Sequence, residues 1–459
     1  MSLTNAPDPA VRRAIVEQDL ANVLHPLVQH RALETAQMVM AGAGGCTVRD
    51  ADGTEYLDAM AGLWCVNIGY GRHELAQVAA EQMEQLAYFP HTAMNEPAAQ
   101  LAATINTMMG GDTHVYFVNS GSEANEAGFK FARQWAKHEY PGQFRFKTIS
   151  RYYAYHGTTL STLDAGGMGE RKTKFEPYSG NFVHVAPPTC YRCPFGLTHP
   201  SCGMACVKNM ETTILAEGPE TVAEVIVEPI MSGIGVAVPP DEYLPAVEAL
   251  CRRYGLLLHV DEVINGFGRT GKAFAHQHYG VKPDIIAVAK GISSAYMPIA
   301  ATVVRNHVFE SFLGEPSSGS QVMQVNTYGG HAVAAAVAQR NLEILLQEKL
   351  IERAAETGAY LMDGLRGLLK YRNVGDVRGK GLLCAVELVK DKATKEQLDN
   401  PVMNGVIDAC KAQGVIVGRA GSGSRWGTIV SICPPLVITR AECDRVVSTL
   451  EKAIAAIPA

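Results

Sequence analysis

The sequence predicts an α/β fold, a mainly parallel sheet with a second, smaller α+β domain, on three observations. Short β-branched, apolar runs alternate with longer amphipathic stretches through the middle of the chain. Those runs are apolar at nearly every position. Past residue 333 the alternation gives way to long helical periodicity.

Seven runs carry the first two observations: HVYFV (114–118), FKTIS (146–150), NFVHV (181–185), EVIVE (224–228), LLLHV (256–260), DIIAVA (284–289) and IAATVV (299–304). A strand apolar on both faces must be covered on both faces, and helical intervals between such strands suit right-handed crossovers in a parallel sheet. The third observation is AVAAAVAQRNLEILLQEKLIERAAETGAYLMDGLRGLL, which repeats with helical spacing and is followed by shorter strand candidates in GLLCAVELV and GTIVSIC and a last helix over 440–457. The expected organisation is a segment 1–70 that contributes to the small domain, a large domain over 71–335 and a C-terminal small domain over 336–459.

Composition narrows the function. Of 459 residues, 47% are hydrophobic and 19% charged, which suits a chain that buries a large core. The net charge of −6 comes without a Lys/Arg block, so nucleic acid and acidic membrane are excluded as main partners in favour of small molecules. No apolar run reaches the ~18 residues that a membrane span needs. The first residues are charged throughout and lack the apolar core of a signal peptide, so a cytoplasmic protein is expected. Eleven cysteines, an odd count, are then read as reduced thiols.

In open parallel sheets ligands collect beyond the carboxyl ends of the strands, so the residues after each run carry the functional signal. HVYFV is followed by Asn119-Ser120-Gly121-Ser122-Glu123-Ala124-Asn125, a small polar turn opening a helix. It is either an N-cap or a cradle of N–H groups for a phosphate. LLLHV leads into Asp261-Glu262-Val263. A carboxylate at a buried strand end needs a partner, either the next turn or a cationic ring nitrogen such as that of pyridoxal 5′-phosphate (PLP). DIIAVA leads into Lys290 and the small residues Gly291-Ile292-Ser293-Ser294. Desolvation there pulls a lysine toward the neutral amine that Schiff-base chemistry needs, the alternative being a snorkelling strand-end lysine. FKTIS leads into Arg151-Tyr152-Tyr153-Ala154-Tyr155-His156, which offers aromatic rings for a flat cofactor, or plain core tyrosines. Asn326-Thr327-Tyr328-Gly329-Gly330-His331 is a second small polar turn ahead of the Ala-rich helix.

Taken with MAGLWCVNIGYG (60–71), NSGSEAN, YHG, LLHVDEVINGFGRTG, PDIIAVAKGISS, TYGGH and CPPLVIT, these motifs make the chain similar to class III (subgroup II, omega-type) aminotransferases of PLP fold type I over nearly its whole length. The resemblance implies a seven-stranded large-domain sheet, PLP as cofactor and an amino-group transfer. It implies Lys290 as the Schiff-base lysine and Asp261 as partner of the pyridine nitrogen, with Tyr155 and Val263 packing on the two ring faces. Ser120, Gly121, Ser122, His156 and Glu228 belong to the implied cofactor site. Thr327 reaches the phosphate of the neighbouring subunit's cofactor, so the implied assembly is a homodimer with shared active sites, the homotetramer being left open.

The same resemblance places Trp64, Tyr88 and Phe89 with Tyr155 in an aromatic substrate pocket and Arg419 as the carboxylate-binding arginine. Arg425, a second arginine close by, has no role that the sequence assigns. Cys190-Tyr191-Arg192-Cys193-Pro194-Phe195-Gly196 resembles the taurine–pyruvate aminotransferase branch, which implies an omega-amine donor such as taurine, β-alanine, putrescine or an arylalkylamine, and pyruvate as the acceptor that becomes alanine. The alternatives are another fold type I PLP enzyme, a racemase or decarboxylase, or a different keto-acid acceptor. Cys190, Cys193, Cys202 and Cys206 form C-x2-C-x8-C-x3-C, a spacing shared by zinc sites and plain surface thiols; no metal is expected.

Overall fold

A computed structural model describes residues 9–421 and 426–458. The chain first forms three short strands, β1 (Met40–Gly44), β2 (Thr47–Asp50) and β3 (Glu55–Asp58). The central sheet follows, with β4 (Thr113–Val118), β5 (Lys147–Arg151), β6 (Phe182–Val185), β7 (Val222–Val227), β8 (Leu257–Asp261), β9 (Ile285–Val288) and β10 (Ala300–Arg305). The C-terminal part adds β11 (Val374–Lys380), β12 (Leu383–Asp391), β13 (Glu396–Gln397), β14 (Val415–Ile416), β15 (Gly418–Ala420) and β16 (Ile429–Ile432).

All seven expected runs are strands of one seven-stranded sheet in the order β4-β10-β9-β8-β7-β5-β6. Every residue of β7, β8 and β9 is buried, as strands covered by helices on both faces must be. Each fully buried Val, Leu or Ile there contributes about 1.5–3 kcal/mol over the exposed side chain. Only β10 runs against its neighbours, antiparallel to both β9 and β4. The reason is the link before it. From Val288 to Ala300 the chain holds the Lys290–Ile292 turn and no crossover helix, and a parallel return needs about a dozen residues or more, most often a helix. The other six strands point one way, so Asn119, Tyr152, Glu228, Asp261 and Lys290 all emerge at one carboxyl edge.

The helical stretch after residue 333 resolves into Ala332–Gln347 and Leu350–Arg366, split where Lys349 takes φ 51°. The last helix is Arg440–Ala455, opened by a capping box in which Thr439 and Glu442 exchange backbone donors. Beside it β11, β12, β16 and β15 make an antiparallel sheet. The early strands are not a separate layer: β14 pairs in parallel with β3, so segments near the two ends of the chain share the sheet β1-β2-β3-β14.

Helix Gly121–Glu139 shows how closely the core is packed. Ala124, Ala127, Gly128, Phe131 and Ala132 face the sheet, and a Cβ on Gly128 would stand 2.4 Å from Cε1 of His259. His259 is fully buried against Glu224, at 3.1 Å, and cannot retreat cheaply. Gly405, in helix Asn400–Ala412, has nothing within 4 Å of the same position. Two glycine-to-alanine changes are therefore expected to have opposite signs. At Gly128 an overpacking cost of about 1–3 kcal/mol exceeds a propensity gain of at most ~1 kcal/mol, and the melting temperature falls. At Gly405 only the gain operates, and it rises.

Candidate active site

Asp261 ends β8, and its neighbour in register across to β9 is Ala287, three residues before Lys290. Asp261 is 4% exposed. Its Oδ2 accepts from Nδ1 of His156 at 2.9 Å and from Nδ2 of Asn125 at 2.8 Å; its Oδ1 accepts from the Val263 amide at 3.0 Å. Burial works against the charged form, but His156, the Val263 amide and Asn125 together outweigh it and hold the carboxyl below its usual range. A charge kept anionic in the core, with His156 Nε2 left without a partner, is a charge prepared for a cationic group.

Lys290 opens the turn after β9 with φ 48°, a left-handed conformation costly for a lysine. No hydrogen-bond or ion-pair partner among the described residues holds its amine. Desolvation lowers its pKa, opposed by Cys65, Asp261 and Cys433, so lysine and carboxylate act on one another across the site. The lysine is half-buried, and desolvation shifts it toward the neutral amine while Asp261 stays anionic.

The start of helix Gly121–Glu139 borders this pair. Ser120 is the N-cap, its hydroxyl accepting from the Glu123 amide at 3.2 Å, so the cap reading holds for that residue. Capping leaves the Gly121 and Ser122 amides at the positive end of a 19-residue helix. Two glycines keep the approach open. A Cβ on Gly121 would press on both Val263 methyls at 3.0 Å, and one on Gly157, at φ 146°, would stand 2.5 Å from the Ser122 hydroxyl. That hydroxyl accepts from the Thr158 amide at 3.1 Å. A buried anion, a desolvated amine and a glycine-lined helix start suit an aromatic cation that carries a phosphate, and PLP fits that description.

Around this centre Glu228 is buried with Arg151 at 2.7 Å and accepts from the Tyr155 amide at 3.2 Å. Tyr155 is half-buried under Arg171, 5.1 Å from its ring centroid. Trp64 packs with Tyr153 and Tyr155 on a cluster that includes Met168, Ala420 and Trp426. A cavity of about 360 Å³ opens beside it, lined by Tyr152, Tyr153, Met168, Glu170 and Trp426. Tyr88, Phe89 and Thr327 form a separate exposed group in which the Tyr88 hydroxyl donates to the Thr327 carbonyl at 2.7 Å. Arg419 lies on β15 and donates to the Gly427 carbonyl and to the side chains of Asn404 and Asn400. Arg425 lies outside the described residues.

A larger cavity, about 530 Å³, sits at the amino ends of the strands between His114, Tyr116, Phe309 and Phe312, the wrong edge for a doubly covered sheet to bind its ligand. Cys190, Cys193, Cys202 and Cys206 line one small apolar cavity, and burial pushes the Cys206 thiol up to about 11. Among the described residues no group of three or more His, Cys, Asp or Glu is arranged to hold a metal ion.

Asn125 and Cys65 lie within the motifs NSGSEAN and MAGLWCVNIGYG, but the sequence assigned neither a role. Asn125 had a signal, being the polar residue on a helix face of Ala124, Gly128 and Ala132 that must pack on the sheet. Cys65 had none, since its proximity to Lys290 depends on a fold-back across 225 positions.

Comparison with known proteins agrees with this geometry. The family model for class-III aminotransferases matches residues 28–454. An uncharacterized aminotransferase, YhxA, of Bacillus subtilis is 47% identical over 93% of this chain and 94% of its own. A taurine–pyruvate aminotransferase of Bilophila wadsworthia is 39% identical over 96% of this chain and 97% of its own. A crystal structure of a Bacillus anthracis aminotransferase superposes with a TM-score of 0.94 at 43% identity, covering 98% of this chain and all of that one. A match of this extent makes the chain a member of the class III aminotransferases, PLP-dependent enzymes of fold type I.

Proposed function

We propose that this enzyme moves an amino group from an omega-amine donor, taurine or a related amine such as β-alanine, putrescine or an arylalkylamine, to pyruvate, releasing alanine and an aldehyde or ketone. The observation that carries the reading is a carboxylate, Asp261, held by His156, Asn125 and the Val263 amide at the sheet edge where Lys290 also emerges, with both pKa values shifted downward so that Asp261 stays anionic and Lys290 moves toward the free amine. The likeness to a taurine–pyruvate aminotransferase supports the donor and acceptor.

PLP supplies, when bound, a carbonyl for amines to join and a ring that withdraws electrons from the carbon next to the joined nitrogen. Asp261 pairs with the ring nitrogen and keeps a proton on it. His156, Asn125 and the Val263 amide hold that carboxylate in place, so it loses no time reorienting as charge moves. Lys290 would hold the cofactor, and its amine, when neutral, would serve as the base that takes a proton from the donor carbon and as the acid that delivers it. Gly121 and Ser122 hold the phosphate by their amides, with Ser120 capping the same helix, and Thr327 serves the phosphate of the neighbouring subunit. Tyr155 and Val263 would pack against the cofactor ring, and His156 and Glu228 would complete its site. Trp64 and Tyr155 line the donor pocket, Tyr88 and Phe89 join it across the shared interface as Thr327 does, and Arg419 takes the acceptor carboxylate.

The shared site makes the enzyme a homodimer. Support comes from the exposed apolar group around Tyr88 and Thr327, where Phe89 is 57%, Val325 75% and Tyr328 61% exposed. No helix among the described residues is long and apolar enough to cross a membrane. We place the enzyme in the cytoplasm, with residues 1–70 and 336–459 forming its small domain and 71–335 its large one.

Lys290→Ala is expected to abolish both turnover and the long-wavelength absorption of lysine-bound PLP. Asp261→Asn keeps PLP but lowers kcat by about 10²-fold or more; a variant at either position with normal turnover refutes its role. The depressed lysine pKa sets a pH dependence with a definite sign. Recapture of PLP by apoenzyme needs the neutral amine, so its rate rises with pH through a midpoint below the ordinary 10.5. A midpoint at or above that value contradicts the assignment. A panel of taurine, hypotaurine, β-alanine, putrescine and 1-phenylethylamine against pyruvate, followed by alanine formation, tests the donor class. Alanine from none of them overturns the proposed function, as would conversion of an amino acid without a keto-acid acceptor.

A further inference from the structure

Trp64 rides on a contorted stretch of backbone. Ala61, Gly62 and Trp64 have φ of 47°, 67° and 57°, and two of the three are not glycine. L-residues enter that region at a cost and stay there only where their surroundings impose it.

Here the imposing group is Asp58, the last residue of β3, 3% exposed. Its Oδ1 accepts from the Met60 amide at 2.8 Å, and its Oδ2 accepts from the Gly62 amide at 2.6 Å and from the Tyr70 hydroxyl at 2.7 Å. One carboxylate thus ties the start of the turn, at Met60 and Gly62, to Tyr70 beyond it, whose backbone bridges Gly45. Burial and the neighbouring Asp58 push the Tyr70 hydroxyl upward, so it remains a donor. The turn then closes on itself, Trp64 N–H to the Met60 carbonyl and Cys65 N–H to the Ala61 carbonyl, each at 2.9 Å. Its root is fixed by Ala59, which donates to the Ile416 carbonyl at 2.9 Å and accepts from the Cys433 amide at 2.7 Å. The result places the indole on the cluster of Tyr153, Tyr155, Met168 and Trp426, beside the 360 Å³ cavity. The indole Nε1 is buried with no hydrogen-bond partner among the described residues, so its placement is owed to the backbone that carries it.

We propose that Asp58, assisted by Tyr70, is a positioning residue that sets amine-donor selectivity by fixing the left-handed turn that presents Trp64. The proposal rests on the reading of Trp64 as part of the donor pocket. Asp58 touches neither cofactor nor substrate; it acts through the indole. Asparagine at this position keeps the shape but loses the charge and leaves an amide N–H₂ facing a donor.

The test compares kcat/KM for 1-phenylethylamine with that for β-alanine, using pyruvate and the PLP-loaded enzyme, in Asp58→Asn, Tyr70→Phe, Trp64→Gly and the Asp58→Asn/Trp64→Gly double variant. The ratio is expected to shift about tenfold in Asp58→Asn and less, in the same direction, in Tyr70→Phe. The PLP spectrum and kcat with β-alanine should change by less than about twofold. In the Trp64→Gly background the Asp58 substitution should no longer move the ratio, because two residues acting as a unit are not additive. Should Asp58→Asn not fold, Tyr70→Phe carries the same comparison. An unchanged ratio in folded Asp58→Asn, or a full shift that persists without the indole, overturns the proposal alone. A ratio untouched by Trp64→Gly overturns the pocket reading and the proposal with it.

Discussion

A single buried negative charge organises this molecule. Asp261 sits at the end of the central strand β8, where water is excluded, and an isolated carboxylate there would lose its proton only at great cost. The chain answers with three donors from three different elements: Asn125 from the helix after β4, His156 from the loop after β5, and the amide of Val263 from the turn after β8 itself. Each must arrive within hydrogen-bond distance, which requires the helix to lie close on the sheet. Gly121 against Val263 and Gly128 against His259 are the contacts that permit it. What looks like a run of small residues in a helix is thus a consequence of one charge two strands away.

Lys290 is tied to the same constraint from the other side. The turn that carries it leaves β9 with a left-handed φ and returns at once into β10, and the shortness of that return forces β10 to run antiparallel. Sheet direction and lysine placement are therefore one event. A longer link would allow a parallel crossover, but it would free the lysine from the edge where Asp261 emerges.

The strands and both titratable residues were legible in the sequence for a physical reason. Seven apolar runs announce doubly covered strands, and a charge directly after such a run has nowhere to go but the sheet edge, so Asp261 and Lys290 stood out from position alone. The reversal of β10 was written in the short interval before it, yet apolar periodicity carries no direction. Other features depend on partners far along the chain and leave no local trace. Glu228 meets Arg151 across 77 positions, and Asp58 looks like any strand-end acid until Gly62 and Tyr70 are seen to fold onto it. Ser120 was legible but ambiguous: a serine before a helix caps it whether or not a phosphate lies beyond, and here the cap is present, the hydroxyl accepting from the Glu123 amide.

The two halves of the enzyme's task are consequently built from different material. Proton and charge handling rests on groups fixed to fully buried strands, where a displacement of Asp261 would strand a charge in the core. The residues proposed to meet the two substrates sit instead on loops and a short edge strand: the Asp58–Tyr70 loop under Trp64, the Tyr88–Thr327 group at the exposed face, and β15 with Arg419 held by asparagines of a neighbouring helix. Apart from Asp58, whose buried carboxylate anchors its loop, the polar groups of these segments reach backbone carbonyls or asparagine side chains, so substitution there unpairs no buried ion. Donor preference can then drift while the chemistry stays fixed, and a change of substrate needs only a loop to be re-aimed around an unmoved lysine and carboxylate.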